Sequence, residues 1–322
     1  MVYRLARNHR VEAVHSFAGP RHDGSRPYTV VEADGALYGS TSHSLFHGGG
    51  WFHGVAYRLE SASGLTILHT FNYPEGTGDL TLASNGDFYG AGIGGGVVGR
   101  GAVFRMDQAG NTTVLWLLGE DGDPSEPYAG VIEATDGRLY GTTYGGGDTS
   151  LFGTVYTLRK DGSDRRVLRS FWPDGSGAHP MAPVTQAADG DLYGVTVEGG
   201  PHYYGGTVFR LGLDGAYERL HTFGGEGDGS YPKTPLLEIR PGVFIGTTHF
   251  GGRADVGVNH QVHADGRYKV LHHFGGEAHG APDGLQSWGA LQLAAPGHVL
   301  GTCMQGGAFG KGVCWLMHVD SA

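Results

Sequence analysis

The sequence has 322 residues, with 61 glycines, 39% hydrophobic residues and a formal net charge of −10 at pH 7. This hydrophobic content is too high for a disordered chain and the glycine content is too high for a helical one, so we expect an all-β globular protein. With only 22 Lys and Arg residues, the chain lacks the basic surface that a phosphate backbone requires, which excludes nucleic acid as an expected partner.

The two ends of the chain carry no targeting signal that we recognise. No apolar run reaches the length of about eighteen residues that crosses a membrane, and Met1 leads directly into a predicted strand. We therefore expect no membrane partner and a cytoplasmic protein, or an extracellular one if a leader has been removed. The sequence leaves the oligomeric state open.

In chain order, the sequence repeats one phrase, whose clearest copy is DGRLYGTTYGGG at residues 136–147. The glycines that end its Leu-Tyr-Gly part, or a weaker version of it, are Gly39, Gly90, Gly141, Gly194, Gly246 and Gly301. Their separations are 51, 51, 53, 52 and 55 residues. A period near fifty indicates one supersecondary unit that is copied along the chain.

Each period is predicted to contain four short strands, which we name A to D. Strand A follows a proline, strand B carries Leu-Tyr-Gly, strand C reads Val-Tyr-Arg-Leu, and strand D ends in His-Ser-Phe. The chain opens with C and D strands at residues 2–5 and 14–17, and it closes with A, B and C strands at 288–293, 299–302 and 313–317. The seventh copy of strand C has no assigned role.

This arrangement predicts a six-bladed β-propeller of four-stranded blades that forms a single domain over residues 1–322. Its ring closes when the N-terminal strand or strands pair into the last blade, which removes exposed sheet edges. The turns between strands B and C and those between D and the next A come at the same ends of their strands. We therefore expect both sets of turns on one face of the propeller.

Three phrases of the sequence resemble a known bacterial repeat: LYGTTYGGG at residues 139–147, GTVY at 153–156 and PYAG at 127–130. They are similar to the GloVer tandem repeat (Gloeobacter/Verrucomicrobia), which is usually found in secreted or surface-anchored proteins. The resemblance implies a propeller-like fold and carries no catalytic residues. We expect this chain to depart from the family by having neither a leader nor a C-terminal anchor. In blade layout alone it also resembles virginiamycin B lyase and propeller polysaccharide lyases.

Residues that keep one place in every repeat are expected to serve packing, whereas residues that break the pattern need another reason. The first group contains histidines of strand D and tyrosines of strand B: His15, His69, His221, His272, Tyr38, Tyr89, Tyr140 and Tyr193. We interpret all of them as scaffold.

Two sets of equivalent positions are expected at the mouth of the propeller. The first, before strand A, comprises Tyr28, Thr77, Tyr128, Met181, Lys233 and Trp288. The second, in strand B, comprises Ser42, Ile93, Tyr144, Val197, His249 and Met304. Lys233 and His249 fall in the same blade, and apolar surroundings would favour their neutral forms, as in a base poised near neutral pH. Two interpretations stay open: a catalytic pair, or a lysine that extends into water beside a histidine that fills a tyrosine position.

The loops expected over this face add aromatic and basic side chains. These are His43, Trp51, His202, Tyr203 and Arg253, which we take as substrate-binding candidates together with Tyr28, Tyr128, Tyr144 and Trp288. The spacing of His43, His47 and His53 fits no structural zinc pattern, so no metal and no cofactor are assigned. Cys303 and Cys314 flank one predicted hairpin, where either a cross-strand disulfide or two small buried side chains fit.

These observations favour a cofactor-independent enzyme of the lyase or cyclase type, placed in a biosynthetic pathway. It would act on a small molecule or sugar derivative, with Lys233 and His249 as base and acid and with Tyr28, Tyr128, Tyr144 and Trp288 as walls. The alternative is a non-catalytic propeller that binds carbohydrate or protein, because the fold hosts both activities.

Overall fold

The computed structural model describes residues 2–5, 11–18, 23–43, 54–60, 64–72, 75, 78–96, 99–120, 122–148, 151–172, 175–200, 205–278 and 281–319. Its named elements are 32 β-strands, numbered β1 to β32 in chain order. Within these ranges no helix is long and apolar enough to cross a membrane. The all-β, six-bladed β-propeller fold predicted from the repeat is confirmed.

Five blades are antiparallel sheets of four strands that follow one another in chain order as A, B, C and D. Blade 1 contains β3 (Ser25–Ala33), β4 (Ala36–His43), β5 (Val55–Glu60) and β6 (Gly64–Thr70). Blade 2 contains β7 (Leu80–Leu82), β8 (Phe88–Gly92), β9 (Ala102–Met106) and β10 (Thr112–Leu117). Blade 3 contains β12 (Ile132–Glu133), β13 (Leu139–Thr143), β15 (Thr154–Leu158) and β16 (Arg166–Ser170). Blade 4 contains β17 (Thr185–Gln186), β18 (Leu192–Thr196), β19 (Thr207–Leu211) and β20 (Tyr217–Thr222). Blade 5 contains β22 (Leu237–Arg240), β23 (Val243–Thr247), β25 (Val258–His263) and β26 (Tyr268–His273).

Blade 6 contains an A, a B and a C strand, which are β30 (Gln292–Ala295), β31 (His298–Gln305) and β32 (Val313–His318). The short β29 (Leu285–Ser287) pairs with the end of β31. At the N-terminus, β1 (Val2–Leu5) pairs with β2 (Val11–His15). Pairing of this N-terminal hairpin into blade 6 stays a prediction.

Three two-stranded ladders stand beside the blades. They are β11 (Pro124–Ser125) with β14 (Gly145–Gly146), β21 (Gly229–Ser230) with β24 (Phe250–Gly251), and β27 (Glu277–Ala278) with β28 (Ala281–Pro282). The first two join a D–A turn to the B–C turn of the same blade. This pairing confirms that both kinds of turn lie at the same end of their blade.

Residue contacts divide the chain into two compact units. Unit 1 comprises residues 1–141 and 156–166, and unit 2 comprises residues 142–155 and 167–322. One core cluster of unit 1 includes Tyr89, Trp116 and Tyr156, and one of unit 2 includes Tyr193 and Phe244. The expectation of a single domain over the whole chain stays a prediction.

The last position of the Leu-Tyr-Gly phrase requires glycine, because a ring of strand C occupies the space that a Cβ atom would need. Gly194 of β18 pairs with Phe209 of β19, and a Cβ atom on Gly194 would lie 2.4 Å from the ring atom Cζ of Phe209. The same relation recurs between Gly90 and Phe104, Gly141 and Tyr156, Gly246 and His260, and Gly301 and Trp315. Only glycine leaves room for the cross-strand ring, which explains why the phrase repeats.

The phenylalanine after strand D packs its ring against the same C-strand ring of the following blade. The centroid distances are 5.3 Å for Phe17 and Tyr57, 5.1 Å for Phe71 and Phe104, 5.4 Å for Phe171 and Phe209, 5.1 Å for Phe223 and His260, and 5.8 Å for Phe274 and Trp315. Edge-to-face or tilted ring pairs at these distances add stability beyond the area that they bury. A repeated aromatic contact therefore joins one repeat to the next.

The four strand-D histidines share one arrangement, in which the Nε2 atom contacts a carboxylate from the following turn. The pairs are His15 with Asp23 at 2.7 Å, His69 with Glu75 at 2.8 Å, His221 with Asp228 at 2.9 Å, and His272 with Asp283 at 2.6 Å. Each pair ties strand D to the turn that leads into the next blade. This geometry supports their interpretation as scaffold.

Cys303 and Cys314 are free. Cys303 pairs with Val313, whereas Cys314 pairs with Thr302. Neighbouring positions in a strand point to opposite faces of the sheet, so the two sulfur atoms lie on opposite sides of blade 6. Burial raises the pKa of the Cys303 thiol to about 12, so this residue is an inert core side chain and the disulfide alternative is wrong.

Candidate functional site

The site begins at a strained residue that precedes strand A in several repeats. Four non-glycine residues at this equivalent position have positive φ angles, namely Glu126 (60°), His179 (58°), Tyr231 (61°) and Gln286 (57°). Each costs about 1–3 kcal/mol of conformational energy, and such strain is concentrated at functional sites. Three of the four stand immediately before a proline, as Glu-Pro, His-Pro and Tyr-Pro.

Backbone hydrogen bonds hold this strained residue. The N–H of Tyr231 donates to the carbonyl oxygen of Gly205 in the B–C loop of blade 4. The carbonyl oxygen of Tyr231 accepts from the N–H of His249 in blade 5, at 3.2 Å. Tyr231 thus bridges two blades of unit 2 and projects a side chain whose identity changes from repeat to repeat. Sequence reasoning missed this position, although the variable residue before each proline was a readable signal.

Lys233 follows two residues later, and its ammonium group lies between two aromatic rings. The Nζ atom is 4.6 Å from the Tyr231 ring centroid and 4.4 Å from the Trp288 ring centroid. Within the described ranges, no carboxylate lies at ion-pair distance from this ammonium group. Burial lowers the pKa of Lys233, while the negative faces of both rings favour its charged form.

His249 stands beside this lysine at the end of β23 and is only 7% exposed. Its ring centroid lies 5.4 Å from that of Trp288 and 4.5 Å from that of Phe250, both in edge-to-face geometry. The backbone of Ser287 forms a hydrogen bond that favours protonated His249. The Nδ1 atom is buried and has no hydrogen-bond partner among the described residues.

The surroundings of His249 favour the neutral imidazole. Burial lowers its pKa, the positive charge of Lys233 lowers it further, and the hydrogen bond to the Ser287 backbone only partly offsets these two effects. The site therefore combines a neutral imidazole, whose buried Nδ1 atom has no partner among the described residues, with a nearby ammonium group and aromatic rings.

The structure brings Lys233, His249 and Trp288 together, as the sequence predicted for the first two residues and for one of the walls. Tyr28 and Tyr128 belong to unit 1, so their place as walls of this site stays a prediction. Tyr144 of unit 2 stacks on His179, with ring centroids 4.1 Å apart.

The structure describes only some of the loop residues that the sequence suggested for substrate binding. Arg253 is exposed in the turn after β24, where its charge adds to burial in lowering the pKa of His273. Trp51, His202 and Tyr203 lie outside the described residues, as do Thr77, His47 and His53, and for His43 only the backbone, at the end of β4, is described. Substrate binding by these residues stays a prediction.

A second cluster of unit 2 occupies the equivalent positions one blade earlier. The ring of His179 stacks on Tyr144, and its Nδ1 atom lies 2.8 Å from the carbonyl oxygen of Tyr144. Its Nε2 atom lies 3.7 Å from Oε2 of Glu198, and each side chain is 11% exposed. Met181 and Val197 stand where blade 5 has Lys233 and His249, so the two clusters differ in chemistry. Sequence reasoning missed the His179–Glu198 pair.

Metal ligands do not gather at either place. In the described part of the chain, no three His, Cys, Asp or Glu side chains are arranged to hold a metal ion.

Comparison with known proteins places the chain in a repeat family. Residues 29–257, more than half of the chain, match the Gloeobacter/Verrucomicrobia repeat. Curated proteins give no match.

Solved structures show the same fold at low sequence identity. A protein from Bacteroides fragilis described as a "putative 6-phosphogluconolactonase" has a TM-score of 0.57 at 16% identity, covering 97% of this chain and 88% of that chain. A GH74 enzyme from Niastella koreensis has a TM-score of 0.56 at 13% identity, covering 89% of this chain and 44% of that chain. An inactive variant of virginiamycin B lyase from Staphylococcus aureus has a TM-score of 0.48 at 12% identity, with 92% and 96% covered. At these identities the two likenesses with TM-scores above 0.5 show the fold alone.

Proposed function

We propose that this chain, which belongs to the Gloeobacter/Verrucomicrobia repeat family, is a cofactor-independent enzyme that performs acid–base chemistry at Lys233 and His249. One observation carries the proposal: the buried Nδ1 atom of His249 has no partner among the described residues, although buried polar atoms almost always have one. A substrate that donates a proton to this nitrogen would supply the missing partner.

The roles of the two residues follow from their surroundings. His249 acts as the base, because its neutral form is favoured and its Nδ1 atom has no partner among the described residues. Lys233 acts as the cation that stabilises negative charge on a substrate oxygen and returns a proton to it. This assignment reverses the order predicted from the sequence, where the lysine was the base, since the ammonium group lies over two rings that favour its charged form.

Such a pair suits elimination or intramolecular ring closure on a small molecule or sugar derivative. His249 takes a proton from carbon or oxygen, the electron pair forms the new double bond or the new ring bond, and Lys233 neutralises charge on the departing or developing oxyanion. Trp288 and Tyr231 provide the apolar walls. The proposal includes a cytoplasmic location and a biosynthetic role.

Two fold neighbours with TM-scores above 0.5 are described as a "putative 6-phosphogluconolactonase" and as a GH74 enzyme. They support the proposal only by showing that this fold accommodates such chemistry. A second candidate is a carbohydrate-binding propeller, which the 48% exposure of Trp288 and the 37% exposure of Phe250 favour. Exposed aromatic rings of this kind form a platform on which a sugar ring stacks.

The test is a thermal-shift screen of uronides, sugar lactones and polyketide-like phenols, followed by NMR assays of turnover. The Lys233→Met, His249→Phe double variant is compared with a Lys269→Met, His298→Phe control in the same unit. A compound that stabilises the native protein and the control, is converted by both, and has no effect on the K233M/H249F variant supports the enzyme. Binding without conversion favours the carbohydrate-binding candidate, and equal responses of all three proteins overturn both.

A further inference from the structure

We infer that His179 and Glu198 form a second binding site, which takes the vicinal hydroxyl groups of a neutral saccharide. This site does not rest on the proposed chemistry at Lys233 and His249. The observation behind it is a polar gap: the Nε2 atom of His179 and the Oε2 atom of Glu198 face each other at 3.7 Å, which is beyond hydrogen-bond distance.

The orientation of His179 follows from its other nitrogen. The Nδ1 atom lies 2.8 Å from the carbonyl oxygen of Tyr144, and because a carbonyl only accepts, Nδ1 carries a proton. Stacking on the Tyr144 ring holds the imidazole plane. The Nε2 atom is therefore directed toward Glu198 in every protonation state of the ring.

Glu198 is buried to 8% exposure, and none of the described residues donates a hydrogen bond to its carboxylate. Neither carboxylate oxygen of Glu198 is a fully buried atom without a partner, and a carboxylate in such a place is normally satisfied by a ligand, water or another side chain. The pair is not needed to form the turn, because blade 6 builds the same turn with Gln286 and Gln305, whose side chains bond to each other at 3.3 Å. Blade 5 builds it with Tyr231 and Phe250, whose rings contact each other.

The chemistry of the gap selects hydroxyl groups. When His179 is neutral, its Nε2 atom and Glu198 are two acceptors, and two neighbouring hydroxyl groups donate one hydrogen bond to each. When His179 is protonated, one hydroxyl accepts from Nε2 and the other still donates to Glu198. An anion would be repelled by Glu198, and an ammonium group would be repelled by protonated His179. A neutral vicinal diol therefore fits both states, and the half-buried ring of Tyr144 supplies apolar surface beside it.

The experiment is isothermal titration of the full chain with four probes: cellotetraose, xylotetraose, mannotetraose and maltotetraose. The test variant is His179→Gln, Glu198→Gln, which copies the Gln286–Gln305 pair of blade 6 and should therefore fold. The control is Gln286→Ala, Gln305→Ala, which alters the equivalent turn elsewhere. Equal thermal unfolding of native protein and test variant verifies the fold.

We expect at least one tetraose to bind the native protein and to bind the test variant about tenfold more weakly, because each lost hydrogen bond to a charged group is worth about 1.5–3 kcal/mol, or at least tenfold in affinity. The control and the K233M/H249F variant should bind like the native protein. Absence of binding by all four probes, or equal binding by the test variant, overturns the inference. Loss of tetraose binding in K233M/H249F alone would assign the saccharide to the Lys233–His249 site instead.

Discussion

The ammonium nitrogen of Lys233 lies 4.4 Å from the centroid of the Trp288 ring, and this contact joins two consecutive blades of unit 2. It places a positive charge next to His249, which packs its own ring against the same indole at 5.4 Å. Trp288 therefore covers both members of the candidate pair. Because the Trp288 ring shields both Lys233 and His249 from water, the environment between them has low polarity, and this strengthens the electrostatic interaction between the lysine charge and the imidazole.

Replacing Lys233 should raise the pKa of His249. Burial is the larger cause of the lowered pKa and remains in Lys233→Met, whereas the repulsion by the lysine charge disappears. The imidazole of the variant should therefore titrate at higher pH than that of the native protein, while still titrating below a freely exposed histidine. NMR titration of the ring protons measures both values. Lys269→Met, at an exposed lysine of β26, should leave the pKa unchanged, and an equal shift in both variants would contradict the coupling.

Replacing His260 should stabilise the protein. His260 fills the C-strand position that Tyr57, Phe104, Phe209 and other rings fill elsewhere, and both of its ring nitrogens are buried without partners among the described residues. His260→Phe removes two unsatisfied polar atoms, so the free energy of unfolding at pH 7 should rise by about 1–3 kcal/mol. Urea denaturation measures the change, and a destabilised variant would contradict this account.

The same variant should change the pH dependence of stability. Burial, together with His221, lowers the pKa of His260 from its ordinary 6.5 to about 3. The unfolded chain therefore binds the proton first as the pH falls, so the native protein loses stability from about pH 6.5 down toward the folded pKa of about 3. His260→Phe lacks this loss, and its advantage should grow by about 2 kcal/mol between pH 7 and pH 5. Urea denaturation of both proteins at pH 7, 6 and 5 measures this growth, and an advantage that stays constant over this range would contradict it.

A methyl group on a repeat glycine should disrupt its blade. Gly194→Ala places a Cβ atom 2.4 Å from Cζ of Phe209, so the ring or the strand must move, and the free energy of unfolding should fall by about 1–3 kcal/mol. Gly225→Ala is the matched control, because its nearest neighbour would lie 3.9 Å away. Thermal or urea unfolding compares the two variants. Adding Phe209→Leu to Gly194→Ala should recover part of the loss, and failure of Gly194→Ala to destabilise would refute the role given to the ring.

The strand-D histidine pairs should contribute to acid sensitivity. Burial opposes ionisation of Asp228, but hydrogen bonds from His221 and Tyr268 outweigh it and lower the pKa of this carboxyl group below 3.8. Its stabilising effect is therefore complete above pH 4 and is lost as the pH falls through the lowered folded pKa. Asp228→Asn should cost about 1–3 kcal/mol at pH 7, and the difference from the native protein should shrink below pH 4. Asp214→Asn is the control, and a constant difference at all pH values would argue against the ion pair.

Several local features could be read from the sequence because they repeat. The Leu-Tyr-Gly phrase located strand B in every blade, since its glycine must face a ring of strand C wherever the unit is copied. The same comparison between copies set the strand-D histidines, which share one arrangement, apart from His249. Boundaries at the irregular last repeat were less accurate: strand A was expected at residues 288–293, but β30 spans Gln292–Ala295, because Trp288 belongs to the turn that covers Lys233.

The candidate sites depended on relationships that no repeat pattern contains. The sequence selected Lys233 and His249 because they differ from their counterparts, yet it did not indicate which would be the base. That assignment required the burial of His249, which lowers its pKa, and the position of two rings around the ammonium group of Lys233. The pairing of His179 with Glu198 was not predicted, because the residue types do not show which side chains of neighbouring turns meet.

By itself, the sequence determined the all-β class, the six repeats and the residues that break the repeat, because strand period, turn chemistry and glycine spacing are local properties of the chain. The tertiary structure alone decided which of the unusual residues meet, that Nδ1 of His249 is buried without a partner among the described residues, and where a histidine faces a carboxylate beyond hydrogen-bond distance. The physical reason is that protonation, desolvation and hydrogen-bond satisfaction are set by neighbours that lie from sixteen to fifty-five residues away in sequence and only a few ångströms away in space.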